Sequence, residues 1–273
     1  TAREAASMGI RVCLAGATGW AGSELARGIA ATSDLALVSA VSRTHAGRDL
    51  GEVQGDRRLS CPVYASAPEA LSRPCDVLVE FTAPDSARAN ILAALEHGAH
   101  VVVGTSGLTD AEYAEIDGVA RARRVGVLAC GNFALTAVLM QKFAEMAARL
   151  IPQWEILDYG RDDKPDAPSG TAREVAARLA RVRAPEPTVP VAQTMGEPAA
   201  RGAIVSGSQI HSVRLPGFIL STEIIFGLPD QKLTIRHEAG SSARPYVDGA
   251  LLAIRRASML VGVHRGLDTV LDI

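Results

Sequence analysis

No excess of positive charge marks this chain: 28 lysines and arginines stand against 30 aspartates and glutamates, for a formal net charge of −2. That balance removes the electrostatic case for nucleic acid or an anionic membrane surface as a partner. No run approaches the ~18 apolar residues of a membrane span. Cys13, Cys61, Cys75 and Cys130 are widely spaced, with no Cys-x-x-Cys. Cys13 and Cys130 fall in apolar, strand-like runs, which reads as buried, reduced thiols in a reducing compartment, the cytoplasm. Histidines, cysteines and acids nowhere take ligand spacing, so no metal site is expected. Residues 1–7, ahead of Met8, lack the apolar stretch of a secretion signal and read as an added segment or a loose terminus. Internal repeats and low-complexity tracts are also missing.

The chain does have enough length for two cores. Its 273 residues are 48% apolar and 21% charged, ordinary values for a globular protein. In the first half, short apolar runs over 10–15, 35–41, 77–81, 101–103 and 125–129 alternate with helical patterns over 86–97 and 109–123. Strands apolar at nearly every position belong to sheets covered on both faces. After Asn132 the pattern changes. Helices are expected over 136–150 and 171–183, and a proline-bearing surface loop over 184–200. Strands are expected over 154–159, 210–215, 218–226 and 232–237, the last three joined by short turns, and a closing helix over 247–259. The fold class is α/β: a Rossmann-like, doubly wound parallel sheet with a second α+β domain built on a mixed sheet. The expected boundaries are 8–132 plus 247–273 for dinucleotide binding, and 133–246 for substrate binding and oligomerisation.

Gly16, Ala17, Thr18, Gly19, Trp20, Ala21 and Gly22 follow the first strand and open a helix. The spacing is Gly-x-x-Gly-x-x-Gly rather than Gly-x-G-x-x-Gly, but the chemistry is shared. Small residues let the backbone turn and bring its N–H groups to a pyrophosphate. Strand, loop and helix in this order favour a dinucleotide over a mere packing turn. At the end of the second strand stand Ser42, Arg43, Thr44 and His45, with Arg48 nearby and no acid. A carboxylate there would hold a ribose 2′-hydroxyl and repel a 2′-phosphate. Hydroxyl and guanidinium groups suit the phosphate instead. NADPH is therefore the expected cofactor, with NADH possible; the plainer reading of Arg43 and Arg48 is solvated surface charge. Phe81 and Thr82, Gly104 to Gly107 with Thr105 and Ser106, and Gly131 to Phe133 with Asn132 each follow a strand, where loops line the ligand crevice of such sheets.

The most informative segment runs Asp158, Tyr159, Gly160, Arg161, Asp162, Asp163, Lys164, Pro165, Asp166, Ala167, Pro168, and then Ser169, Gly170 and Thr171 opening a helix. A helix start offers free N–H groups and partial positive charge, which suits a substrate carboxylate. Lys164 stands a few residues upstream, within reach of whatever that turn holds.

Together these residues resemble the dihydrodipicolinate reductase family. The likeness spans the glycine loop, Phe81-Thr82, Gly104 to Gly107, Asn132-Phe133, Lys164 through Thr171, and Ile210 to Arg214 with Pro216-Gly217. It implies an enzyme that reduces a cyclic C=N dicarboxylate with NAD(P)H in lysine biosynthesis, commonly as a homotetramer formed through the mixed-sheet domain. It also implies that Lys164 donates a proton or binds substrate, that Ser169, Gly170 and Thr171 grip a carboxylate, and that Asn132 and Phe133 lie near the nicotinamide. One departure stands out. The family carries Glu-x-His-His-x-x-Lys, and here Gly160 and Arg161 occupy the places of the two imidazoles.

Hydride delivery to a C=N bond leaves charge that needs a proton or a cation. Lys164 supplies either. Tyr159 is a second candidate donor. Arg161 is a candidate for carboxylate binding but a poor acid near neutral pH. Asp162 or Asp163 would orient Lys164 or hold a substrate amine, unless they are solvated loop acids. His211 or His237 could approach in the fold. The leading expectation is a reductase acting on a small carboxylated imine, with the cofactor of the first domain facing Lys164 across an interdomain cleft. Because a site built for particular polar groups rejects mismatched partners, a paralogue reducing a different imine or enamine acid is a rival. A non-catalytic cofactor-binding scaffold is another.

Overall fold

A computed structural model describes residues 9–271; residues 1–8, and with them the reading of the terminus, lie outside the described residues. The first half of the chain runs β1 (Ile10–Ala15), α1 (Trp20–Ala30), β2 (Leu35–Val41), α2 (Leu50–Gln54), β3 (Val63–Tyr64), α3 (Ala67–Ala70), β4 (Val77–Glu80), α4 (Pro84–Glu96), β5 (His100–Val103), α5 (Asp110–Arg123) and β6 (Gly126–Ala129). The rest runs α6 (Leu135–Leu150), β7 (Trp154–Gly160), α7 (Gly170–Val182), β8 (Ala203–Val205), β9 (Ser208–Arg214), β10 (Leu220–Leu228), β11 (Gln231–Ala239), α8 (Pro245–Ala257) and β12 (Gly262–Arg265).

Contacts divide the chain into two compact units. One ends at Leu135 and resumes at Ser242; the other is Thr136–Ser241. In the first, seven parallel strands stand in the order β12-β6-β5-β4-β1-β2-β3. The order in which strands are added reverses between β1 and β4, which places the crevice of a doubly wound sheet at their C-terminal ends. The apolar runs are buried on both faces: Leu78, Val101 and Val127 pack with Ile91 and Leu95 of α4 and Ile116 of α5. A fully buried Ile or Leu of this kind contributes about 1.5–3 kcal/mol. Helix starts follow local chemistry. Pro84 supplies the fixed φ of a first turn, so α4 begins two residues before the expected start at 86. Thr109 and Glu112 form a reciprocal capping box on α5. The closing helix α8 lies in this unit, where Val247 fills the space beside Gly28.

The second unit is a five-stranded mixed sheet in the order β11-β10-β7-β9-β8. Burial alternates strictly along β7, as expected where one face is covered. Trp154 and Ile156 pack against Met140 and Ala144 of α6 and Val175 and Leu179 of α7. The two strands flanking Pro216-Gly217 are not partners, contrary to what a short turn suggests. β7 lies between them, parallel to β9 and antiparallel to β10. The turn therefore carries the chain over the end of β7; hairpins are instead formed by β10 and β11, with Asp230 at positive φ in the turn, and by β8 and β9 across Ser206-Gly207. Among the described residues no helix is long and apolar enough to cross a membrane, and no cluster of His, Cys, Asp or Glu could hold a metal ion. Cys13, Cys61 and Cys130 are buried. Burial pushes the Cys13 and Cys61 thiols up to about 12.

Candidate active site

The glycine loop is shaped by what it excludes. Gly16 takes φ +82°, and a Cβ there would meet Phe81 O at 2.2 Å; a Cβ on Gly22 would meet Gly16 O at 2.0 Å. Backbone therefore packs on backbone at the end of β1. Gly19, the N-cap of α1, gives no side-chain bond to the helix. The N–H groups of Trp20, Ala21 and Gly22 belong to the first turn, which has no intrahelical acceptors for them. Such a cradle fits a pyrophosphate. Ala17 is buried and offers backbone only, its carbonyl accepting from Gln54 Nε2 at 2.9 Å. Beside the cradle, Thr18 Oγ1 lies 2.9 Å from Ser42 Oγ, which lies 3.3 Å from Thr44 Oγ1. Arg43 is exposed next to these hydroxyls.

The remaining crevice residues divide by role. Phe81 lies against Gly104, where a Cβ would strike its ring at 2.1 Å, and its ring centroid is 5.4 Å from that of buried Phe133. The Thr82 and Thr105 hydroxyls both donate to Glu80, the latter at 3.2 Å. These residues are walls, their polar groups already engaged. Ser106 is exposed beyond them, and Asn132 Oδ1 accepts the Ala134 N–H at 2.8 Å.

In the second unit the site is assembled on the end of β7. Asp158 is 1% exposed, and its Oδ2 accepts from Ser169 N at 2.8 Å, Ser212 Oγ at 3.1 Å and Arg214 Nη2 at 2.7 Å. Arg214 Nη2 also donates to Asp166 O at 2.7 Å. One buried ion pair thus ties β7, β9 and the turn before α7 together. Burial pushes the Asp158 carboxyl up, but the bonds from Arg214 and Ser169 together outweigh it and hold the group below its ordinary value. Ser169 caps α7 by accepting Ala172 N–H at 3.2 Å and its side chain also bonds Asp158, while the N–H groups of Gly170 and Thr171 in the first turn could serve an anion. The sequence reading singled out neither Asp158 nor Arg214 for this task. They stand 56 residues apart, and only sheet pairing joins them.

Lys164 lies on the same face as this pair. Its ammonium pairs with Asp166, and its stem fills the space that a side chain on Gly160 would need: a Cβ there would be 3.0 Å from Lys164 Cδ and 3.4 Å from Arg214 Cδ. The acid that orients Lys164 is therefore Asp166, not Asp162 or Asp163. Asp163 instead pairs with Arg161 at 2.9 Å, and both are more than half exposed, at 65% and 57%.

Tyr159 points to the opposite face of the sheet, because neighbouring strand residues alternate. It stacks on Phe218 with centroids 5.1 Å apart, Arg236 lies 5.1 Å from its ring centre, and burial raises its phenol. The structure does not bring it to the turn that begins at Ser169. His211 pairs in register with Leu157, on that same opposite face, and its Nε2 lies 2.7 Å from Glu155 Oε2. His237 shares the Asp158 face, one row across with Thr222 between, but it is buried, with Nδ1 held 3.1 Å from Thr136 Oγ1. Burial lowers its pKa, so it is neutral near pH 7.

Two family models, the N-terminal and C-terminal parts of dihydrodipicolinate reductase, match residues 10–133 and 136–271. The chain belongs to the dihydrodipicolinate reductase family. A curated relative, 4-hydroxy-tetrahydrodipicolinate reductase of Moorella thermoacetica, is 40% identical over 96% of this chain and 98% of its own length. The enzyme of the same name from Desulfitobacterium hafniense is 39% identical over 96% and 99%. Among solved structures, dipicolinate-bound dihydrodipicolinate reductase from Paenisporosarcina sp. TG-14 superposes with TM-score 0.86 at 30% identity, covering 97% of this chain and 100% of that one. Membership makes the chain an NAD(P)H-dependent oxidoreductase and agrees with the two sheets described above. At Gly160 the Lys164 and Arg214 side chains occupy the room that a side chain would need.

Proposed function

We propose that this chain reduces the C=N bond of a small cyclic dicarboxylate, with NADPH preferred over NADH. The observation that carries the reading is the turn from Ser169 to Thr171, fixed by Asp158 and Arg214 on the same strand end as Lys164. Ser169, Gly170 and Thr171 bind one substrate carboxylate. Lys164, held by Asp166, protonates the ring nitrogen. A bound nicotinamide dinucleotide supplies the hydride. Gly16 to Gly22 hold its pyrophosphate, and Phe81, Thr82, Gly104, Thr105, Ser106, Asn132 and Phe133 line the nicotinamide end. Thr18, Ser42 and Thr44 with Arg43 support 2′-phosphate recognition, since residues 42–48 include no carboxylate. A Michaelis constant clearly lower for NADH than for NADPH would reverse that preference.

A second reading is favoured by one observation, Gly160 and Arg161 in place of two histidines. It keeps the chemistry and changes the acid: another cyclic imine or enamine carboxylate. Single-turnover NADPH oxidation against a panel of cyclic imino acids separates the readings. Fastest transfer to the dihydrodipicolinate precursor supports the first. Tight NADPH binding with no transfer to any acid leaves a scaffold. The reading extends to a cytoplasmic homotetramer formed through the second unit, supported by Leu233 and Ile204 standing exposed on the two edge strands of its sheet. Light scattering on purified protein tests the assembly.

A further inference from the structure

Glu80 is a fully buried acid that the proposed chemistry does not use. It ends β4, directly before Phe81-Thr82, and its side chain reaches two separate loops. Oε1 accepts Thr82 N–H at 2.8 Å, the Thr82 hydroxyl, and Thr105 Oγ1 at 3.2 Å. Oε2 accepts Asn90 Nδ2 at 2.9 Å from α4. Its main-chain carbonyl accepts Gly104 N–H at 2.9 Å and Thr105 N–H at 3.3 Å. The donors are all uncharged. A buried carboxylate without a cationic partner costs folding free energy; here it gathers bonds that a leucine in the same strand end could not make. What it gathers is the wall on which the nicotinamide end of the dinucleotide is proposed to rest. Phe81, fixed between Gly16, Gly104 and Phe133, is the next residue in the chain.

We infer that Glu80 is a positioning residue for the nicotinamide half of the cofactor: it sets the relative height of the Phe81-Thr82 and Gly104-Ser106 loops. The inference rests on the dinucleotide reading of the crevice and adds a division of labour within it. The adenosine half is held by Gly16 to Gly22 and by Ser42 and Arg43, away from the bonds Glu80 makes. The nicotinamide half depends on both loops.

The test is direct titration, without turnover, of two ligands. Wild-type protein, Glu80→Ala and Glu80→Gln are titrated with NADPH and with adenosine 2′,5′-bisphosphate, which carries only the adenosine end. Glu80→Ala is expected to weaken NADPH by about 10-fold, the scale of one or two lost hydrogen bonds to a charged acceptor, and to leave the bisphosphate within about 2-fold. Glu80→Gln keeps an acceptor for both threonines, and a turned Asn90 amide can meet its other end, so NADPH affinity returns most of the way. If Glu80→Ala does not fold, Thr105→Val reads the same contrast, with about 3-fold expected. Equal weakening of both ligands, or NADPH binding unchanged in Glu80→Ala, would overturn the role of Glu80 alone. Wild-type protein that bound neither ligand would overturn the dinucleotide reading itself.

Discussion

An ammonium group that hands over a proton has to be held in place, and Asp166 holds Lys164. Lys164→Ala is expected to lower kcat by about 100-fold, the lower end of what a positioned acid contributes; unchanged kcat in steady-state assays would move the proton source elsewhere. Asp158 acts through structure instead. It is buried in an ion pair with Arg214, and breaking such a pair costs about 3–5 kcal/mol. Asp158→Asn should therefore lower the urea midpoint and weaken carboxylate binding while leaving NADPH affinity alone. The pH dependence follows from the direction of the shift. Asp158 is held below the ordinary aspartate value of 3.8, so its stabilisation is present above that value and is lost as pH falls through the depressed one. The stability gap between wild type and Asp158→Asn should be constant near neutrality, begin to shrink as pH falls toward 3.8 and close below the depressed value. Glu80 has the opposite sign: burial raises it, against the bonds from Thr82 and Asn90, so its charged form costs stability at neutral pH and acidification relieves that cost. A gap that widened on acidification would contradict the assignment of Asp158.

At the scale of elements, strand alternation makes a sharp distinction within β7. Asp158 and Gly160 face the helices, and Tyr159 faces away. Tyr159→Phe is expected to leave kcat within about 2-fold, since general-acid loss would cost far more. A 100-fold fall would restore the phenol as a donor. Gly22→Ala, by contrast, drives a Cβ to 2.0 Å from Gly16 O and should weaken NADPH by more than about 10-fold in direct titration. The glycine loop was legible in the sequence because each glycine serves a contact within seven residues or with the adjacent strand end. The helix-facing and outward-facing residues of β7 were not separated, because four of its seven residues are apolar or aromatic on both faces. Strands β3, β8 and β12 escaped notice for another reason: at two to four residues they are too short to carry a period. Their strand character comes from their neighbours. The same nonlocality hid the Asp158–Arg214 pair and the insertion of β7 between β9 and β10. A turn signal reports where the chain bends, not which strand it will lie beside.

Across the whole molecule, the residues proposed for the two ligands fall in different compact units of the chain. The residues proposed for the cofactor, from Gly16 to Phe133, belong to the unit that ends at Leu135, and Lys164, Ser169, Gly170 and Thr171, proposed for the substrate, belong to Thr136–Ser241. Each ligand should then stabilise chiefly the unit that holds it, by an amount set by its own occupancy. At 100 times its dissociation constant a ligand adds about 2.7 kcal/mol, which corresponds to a rise in Tm of about 5–10 °C for the larger unit and about 10–20 °C for the smaller one. NADPH and dipicolinate, measured separately by differential scanning calorimetry, should each give such a rise in wild type. Lys164→Ala is expected to lose at least half of the dipicolinate shift and keep the NADPH shift; Gly22→Ala should do the reverse. A variant that lost both shifts together would show that its residue supports the fold as a whole rather than one ligand.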